Sequence, residues 1–263
     1  MTEPQTPETV EVDFVAPGHL AGAGDPAWVT VPLHRACGWS YGHDPLMPRV
    51  ILSSPGQKAR LRLEPDPDGQ WWTLQHAPER GQPAWYASFG ARTPVEIIAA
   101  LTDALTDPAA DAAVDVDVDP YEPLMKAGWT PAPDKDGLVS PDGKAHVEHY
   151  VSATSNCWWA TTLLSESQGP VWQARFGEHT PPHLVTAFTR ALADPRPLPR
   201  TGSPLSIPGY STKLITRTYR EVPAAQVALA LEERVHALAA RRPAPPTAPP
   251  APRRPPTSPG PTR

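Results

Sequence analysis

The feature that most constrains this chain is that it repeats itself. Trp71-Trp72 recurs as Trp158-Trp159, 87 residues on, and at the same offset Trp85 matches Trp172, Ala87 matches Ala174 and Phe89-Gly90 matches Phe176-Gly177. Thr93-Pro94 matches Thr180-Pro181, Ala104-Leu105 matches Ala191-Leu192 and Asp107-Pro108 matches Asp194-Pro195, with no gap needed from 71 to 108. Upstream, Gly38-Trp39 matches Gly128-Trp129 and Ser54-Pro55 matches Ser140-Pro141, at slightly different offsets. Whatever the unit is, the chain folds it twice.

Both copies read alike. A short helix at 33–37 or 123–127 stops at a glycine suited to the residue after a helix. Extended runs follow. Lys58-Ala59-Arg60-Leu61-Arg62-Leu63 alternates polar and apolar, so one of its faces is half-buried. Runs at 71–75 and 85–89 come next, separated by turn-forming Asp, Pro and Gly; 145–151, 158–163 and 171–176 repeat the pattern. A helix closes each copy. Thr93, Pro94 and Glu96 spell a capping box, and Ile97, Ile98, Leu101, Ala104 and Leu105 form an apolar stripe, matched by Leu184, Val185, Phe188, Ala191 and Leu192. The expected fold class is α+β: two tandem repeats, each a small antiparallel sheet of three or four strands with a capping C-terminal helix, plus a C-terminal helix and disordered tails. One sheet face per copy is left over, and the other copy is its expected cover.

The flanks complete the organisation. Residues 1–25 read as a disordered segment, 26–108 as unit one, 109–119 as an acidic linker and 120–195 as unit two. Residues 196–240 form a Pro-rich connection, a strand at 213–219 and a helix at 223–240, with Val227, Leu231, Val235 and Leu238 on one side. From Arg241 on, ten of 23 residues are Pro and none is acidic, which gives a disordered tail with a polyproline II bias. The net charge of −5 is unevenly spread, with five acids in 1–27, six in 107–122 and six Arg in 234–263. An acidic total argues against a dedicated duplex-DNA binder, while the basic tail leaves nucleic acid open. No run of 18 apolar residues occurs, so no membrane helix is expected. No signal peptide is visible, and Cys37 and Cys157 lie outside any CxxC pattern, which points to two reduced thiols in a cytoplasmic protein.

Three features occur together: Ser-Pro-Asp-Gly-Lys-Ala at 140–145, a downstream Trp followed by Trp-x-Ala-x-Phe, and a Thr-Pro opening of the last helix. In these the chain resembles the actinobacterial domain of unknown function numbered 317, known for a Ser-Pro-Asp-Tyr motif and often found in tandem. The resemblance covers roughly residues 28 to 195 and places the motif at Ser54 and Pro55 in unit one and at Ser140, Pro141 and Asp142 in unit two. Gly143 stands where the motif has Tyr, and Gly56-Gln57 replaces both Asp and Tyr in unit one. The family name implies no reaction.

Searching for chemistry returns little. Neither a G-x-x-x-x-G-K-[ST] nor a G-x-G-x-x-G loop is present. His146 and His149 fall on opposite faces of their strand, and His179 and His183 have Arg92 and Glu96 as repeat counterparts, so no metal site is expected. Ser54 and Ser140 precede Pro and mark turns, not a nucleophile elbow, so no catalytic residue is assigned and no cofactor is expected. The Trp pairs remain. Adjacent strand residues face opposite ways, so one Trp of each pair faces away from the helix layer. It either packs between the units or serves as a stacking platform. The candidate binding residues are Lys58, Arg60 and Arg62 on one strand face, with Trp72 and Trp159 as the platform. The reading is a non-enzymatic binding or adaptor protein with a protein partner, its two repeats paired with each other. A nucleic-acid-binding protein using the sheet Trp and basic strand face is the alternative, and an enzyme comes third.

Overall fold

The computed structural model describes residues 8–43, 49–66, 69–108, 118–133, 136–165, 169–201 and 213–241. Most of the acidic linker and all of the tail beyond Arg241 lie outside these. Unit one runs α1 (Ala27–Arg35), β2 (Ser40–His43), β3 (Val50–Ser53), β4 (Ala59–Leu63), β5 (Trp72–His76), β6 (Trp85–Phe89) and α2 (Val95–Leu105). Unit two runs α3 (Glu122–Lys126), β7 (Thr130–Pro131), β8 (Leu138–Val139), β9 (Ala145–Ser152), β10 (Ser155–Thr162), β11 (Trp172–Phe176) and α4 (Pro182–Leu192). The class is α+β with two similar units, and each unit has five strands. The strands beyond the expected three or four are among the shortest, and runs of two to four residues carry too little alternation to be read.

The units do not cover one another's free faces. They join edge to edge, giving one antiparallel sheet in the order β2-β3-β4-β5-β6-β11-β10-β9-β8-β7. At the seam Phe89 pairs with Ala174 and Phe176 with Ala87, two pairs that the repeat exchanges, around a central Ser88–Arg175 pair. Beyond the pairs, the Gly90 amide donates to the Gln173 carbonyl and the Gly177 amide to the Tyr86 carbonyl, both at 2.8 Å. A Cβ on Gly177 would sit 2.7 Å from the Tyr86 ring and one on Gly90 3.2 Å from the Gln173 nitrogen, so a side chain at either glycine would crowd the seam. Burying the outward faces instead would have stripped water from Arg60, Arg62 and Gln75, whereas edge pairing satisfies backbone groups at no such cost.

Helices α2 and α4 lie side by side on one face of this sheet. Between them and the strands sit Trp72, Leu74, Phe89, Ile98, Leu101, Phe176, Leu184 and Phe188, all buried. Phe188 stacks on Phe89 with ring centres 5.9 Å apart and meets Phe176 edge-on at 5.0 Å, so one aromatic cluster bridges both units. The capping box does not form. Pro94 occupies the N-cap position with an extended ψ of 127°, and the buried Thr93 hydroxyl has no partner among the described residues. Glu96 is drawn to Arg200 instead, at 2.7 and 3.0 Å. A buried guanidinium is a stronger partner for a carboxylate than a local amide.

The pairings also correct the alignment of the copies. Trp72 pairs with Phe89, and Trp158 with Phe176. Since Phe176 is the counterpart of Phe89, the counterpart of Trp72 is Trp158, not Trp159. The loop before β11 (163–171) is one residue longer than the loop before β6 (77–84). A one-residue shift exchanges the two faces of a strand.

The expectation of disorder over 1–25 fails from Thr9 on. β1 (Thr9–Ala16) is the centre of a second sheet, between β12 (Leu198–Thr201) and β13 (Thr216–Pro223), and a 3₁₀ turn follows at Gly18–Leu20. Its partners lie 183 residues or more away, and local pattern carries no trace of such pairings. The chain then forms α5 (Ala224–Ala240), which rests on α1. Arg234 clamps it, donating to both Asp103 oxygens and to the Trp28 carbonyl.

Because the aromatic cluster spans the seam, Phe89→Ala should cost about 3–5 kcal/mol. Urea unfolding followed by Trp fluorescence and by circular dichroism should still give one coincident transition. Two separated transitions, with only one moved by the substitution, would show that the units unfold independently.

Candidate functional site

With the helices on one face, no described helix covers the other face of the wide sheet, where Arg60, Arg62 and Tyr86 are exposed and Ser88 at the seam is buried. Its side chains follow from strand parity. A row runs across both units: Ile51 opposite Arg62, Arg62 opposite Thr73, Thr73 opposite Ser88, Ser88 opposite Arg175, Arg175 opposite Trp159, and Trp159 opposite Glu148. A parallel row in unit one holds Ser53, Arg60, Gln75 and Tyr86. Tyr86 is 49% exposed. The Arg175 guanidinium lies 4.8 Å over the Trp159 ring, and its Nη2 donates to Gln173 at 3.2 Å. Its Nε–H has no acceptor among the described residues. The Trp159 indole N–H points to the Cys157 sulfur at 3.2 Å.

A shallow groove of about 410 Å³ opens at the unit-one end, lined by Gln57, Lys58, Arg60, Gln75, His76 and Tyr86. Lys58 pairs with Glu79 at 2.8 Å, and that hydrogen bond holds the Glu79 carboxyl below the usual carboxylate range. Arg60 and Arg62 are exposed on the same face, with Arg62 3.5 Å from Glu64. So the three basic residues expected to act together do share one surface. Trp72 does not join them: it is 2% exposed, beneath the helix layer. Its neighbour Trp71, 39% exposed, is the outward member of the pair. The error follows from the extra loop residue, which makes the inward partner of Trp158 look like the partner of Trp159. Arg175 and Tyr86 are not among the residues expected from the sequence; the alternation Trp-x-Ala-x-Phe is the signal that the intervening residues point outward.

The Ser-Pro motif forms the hairpin turn into the third strand of each unit's sheet in one and the other copy alike. Ser54 and Ser140 accept, through their carbonyls, the amides of Gln57 and Gly143, both at 2.8 Å, and through their hydroxyls those of Ala59 and Ala145, at 3.0 and 2.9 Å. The fourth motif residue adopts positive φ in both copies, +58° at Gln57 and +69° at Gly143. Pro55 and Pro141 are exposed at the turn. Asp142 adds what unit one lacks. Its Oδ1 accepts from the Ser140 hydroxyl and the Lys144 amide, and its Oδ2 from His19 Nε2 at 3.0 Å. Burial alone would raise this carboxyl; the His19 hydrogen bond and charge, with Ser140 and Lys144, outweigh it and hold the group at about 2. The His19 carbonyl in turn accepts the Trp172 indole N–H at 2.8 Å. The motif is therefore a turn with a tether that fixes the segment after β1 to unit two.

His146 and His149 lie on opposite faces, the latter stacked on Trp158 at 4.2 Å. Among the described residues, no group of three His, Cys, Asp or Glu side chains is placed to hold a metal ion. No described helix is long and apolar enough to cross a membrane.

Two tandem sheet-and-helix units, each with its Ser-Pro turn, define the class. The chain matches the model of the SPDY family, a domain of unknown function (DUF317), twice, over residues 53–110 and 139–198, and so carries two tandem copies of that domain. Each match begins at the strand end leading into the Ser-Pro turn and ends past the closing helix. No curated protein and no solved structure matches the chain.

Since the folded-state pKa of Asp142 is depressed, its contribution is present above about pH 4 and is lost as pH falls toward 2. After allowance for screening of a partly exposed carboxyl, Asp142→Asn should cost about 1–2 kcal/mol at pH 7. Urea midpoints of the two proteins should converge between pH 4 and pH 2. A gap that persists at pH 2 would remove the tether from the stability account.

Proposed function

We propose that this chain is a non-enzymatic binding module whose partner lies across the open sheet face, and that this partner is a single strand of nucleic acid. The observation that carries the reading is the row from Arg62 to Trp159, which crosses the seam with cations at both ends and an aromatic ring beside the second. Strands are spaced about 4.8 Å apart, so Arg62 on β4 and Arg175 on β11 lie about 14 Å from each other. That separation suits contacts to phosphates about two nucleotides apart on an extended strand, and Trp159, Tyr86 and Trp71 offer ring faces for stacking. The chain's net negative charge does not oppose this, because the attraction is local to the face.

A protein partner docking by apolar burial fits this face less well. Its exposed aromatics are separated by Arg, Gln and Thr and form no continuous patch. A tandem unit with helices on one face of a shared sheet is also the layout of some DNA-binding saddles, a fold-level analogy that indicates a face and not a ligand.

The test is a titration of intrinsic Trp fluorescence in the full chain with an oligothymidylate and with a duplex of equal length, at low and high salt. The single strand should quench more strongly. Arg62→Ala with Arg175→Ala should weaken binding about tenfold or more and lower the log–log salt slope by about 1.4, two phosphate contacts at about 0.7 each. Thr73→Glu, on the same row, should act in the same direction without removing a cation. Equal affinity in all variants would reject the face as the site. Loss of binding only on replacing Arg253 and Arg254 would assign it to the tail and reject the reading.

A further inference from the structure

A second recess lies away from the open sheet face. It is a cleft of about 640 Å³ between the second sheet, α1, the start of α2 and the N-terminal half of α5. Phe14, Trp28, Val95, Val222, Val227 and Leu231 line it, and most remain only half-buried. The helix above it is anchored at one end. Val235 and Leu238 are its buried residues, and its ion pairs, Glu232 with Arg35 and Arg234 with Asp103, lie in the same half. Val227 and Leu231, on the apolar side of the other half, face space that no described residue fills.

The polar groups in the cleft exclude a small anion as its occupant. Arg200 is buried, and all five of its N–H groups are used, by the carbonyls of Ala21, Gly22 and Pro199 and by the two oxygens of Glu96. That pair is neutral as a unit. Asp25, whose carboxylate caps the Ala27 amide, leaves the lining with a net single negative charge. Arg220, on the same face of the second sheet, holds its guanidinium 5.3 Å from the centre of the Phe14 ring and offsets that charge, so shape decides: the complementary occupant is elongated and apolar along one side.

The chain's own tail has that form. Pro243, Pro246, Pro249, Pro252 and Pro255 recur every third residue without a break. Polyproline II has three residues per turn, so in that helix these five prolines would form one continuous apolar ridge. Residues 242–263 carry four Arg and no acid. Grooves that bind polyproline II segments are lined by aromatic side chains, and such a helix pays little ordering entropy on docking. Reach is ample. The tail leaves α5 about 14 Å beyond Leu231, at about 1.5 Å per helical residue. Its 22 residues extend up to about 68 Å at about 3.1 Å each.

We propose that the C-terminal tail folds back along α5 and seats its proline ridge in this cleft, within the same molecule. This inference does not depend on what binds the open sheet face.

The full chain tests it, with a photoreactive benzophenone side chain in place of Ala248, which lies off the ridge. After irradiation, adducts mapped by mass spectrometry should fall on cleft residues, chiefly 12–14, 25–28 and 226–231, and their yield per molecule should not change with protein concentration. Replacing Pro246, Pro249 and Pro252 by Ala should cut that yield about tenfold, whereas replacing the off-ridge Pro245 and Pro250 should leave it within about twofold. These substitutions lie outside the folded units, so loss of fold does not confuse the result. Ala230→Trp, which fills the cleft, should also suppress the adducts. Adducts scattered over the surface would overturn the proposal, as would an equal response to ridge and off-ridge changes. Adducts only between molecules would replace it with docking onto a second copy.

Discussion

The structure depends on the pairing of β6 with β11. A five-stranded sheet with one helix layer has an edge that must be paired, covered or blunted. Here each unit's edge is completed by the other's, and the same contact stacks α2 against α4. The geometry follows from the repeat itself, because the pairs Phe89–Ala174 and Ala87–Phe176 exchange under it. Joining by edges also decides where water goes. Face-to-face packing would have consumed the polar faces, while edge pairing leaves them side by side as one surface.

That surface is not symmetric, although the scaffold nearly is. One extra residue between β10 and β11 restores the seam register only after shifting β9 and β10 relative to a gapless alignment. The position of Trp159 is held in unit one by Thr73, and those of Arg60 and Arg62 are held in unit two by His146 and Glu148. Unit one thus places two arginines where unit two has a histidine and a glutamate, and unit two places a tryptophan where unit one has a threonine. Under the proposed reading, a strand crossing the seam would meet a different chemistry on each side, which would favour one polarity.

Much of this was legible in the chain because it is local. The duplication, the α+β class, the closing helices and α5 all rest on periodicity within short windows. Lys58, Arg60 and Arg62 share a face because strand alternation is strict. What stayed hidden is non-local or turns on a single residue. The strand at Thr9–Ala16 exists because 198–201 and 216–223 pair with it. Glu96 abandons its local cap because Arg200, 104 residues on, is a better partner. Trp72 was assigned to the wrong face because periodicity cannot tell which of two adjacent tryptophans points inward when a loop length is unknown. Asp142 was visible as a motif residue, but its partner His19, 123 residues earlier, was not.

The outermost strands carry a consequence of their own. The margins of the wide sheet are β2, four residues long, and β7, two residues long, of which one is Pro131. A proline has no amide to offer, and so short a strand gives an incoming chain little to zip onto. The five-residue borders β6 and β11 are turned inward against each other. Joining the copies thus takes out of reach the two borders along which copies of such a sheet would grow into ribbons, and among the described strands of this sheet it leaves outside two that are too short to propagate one.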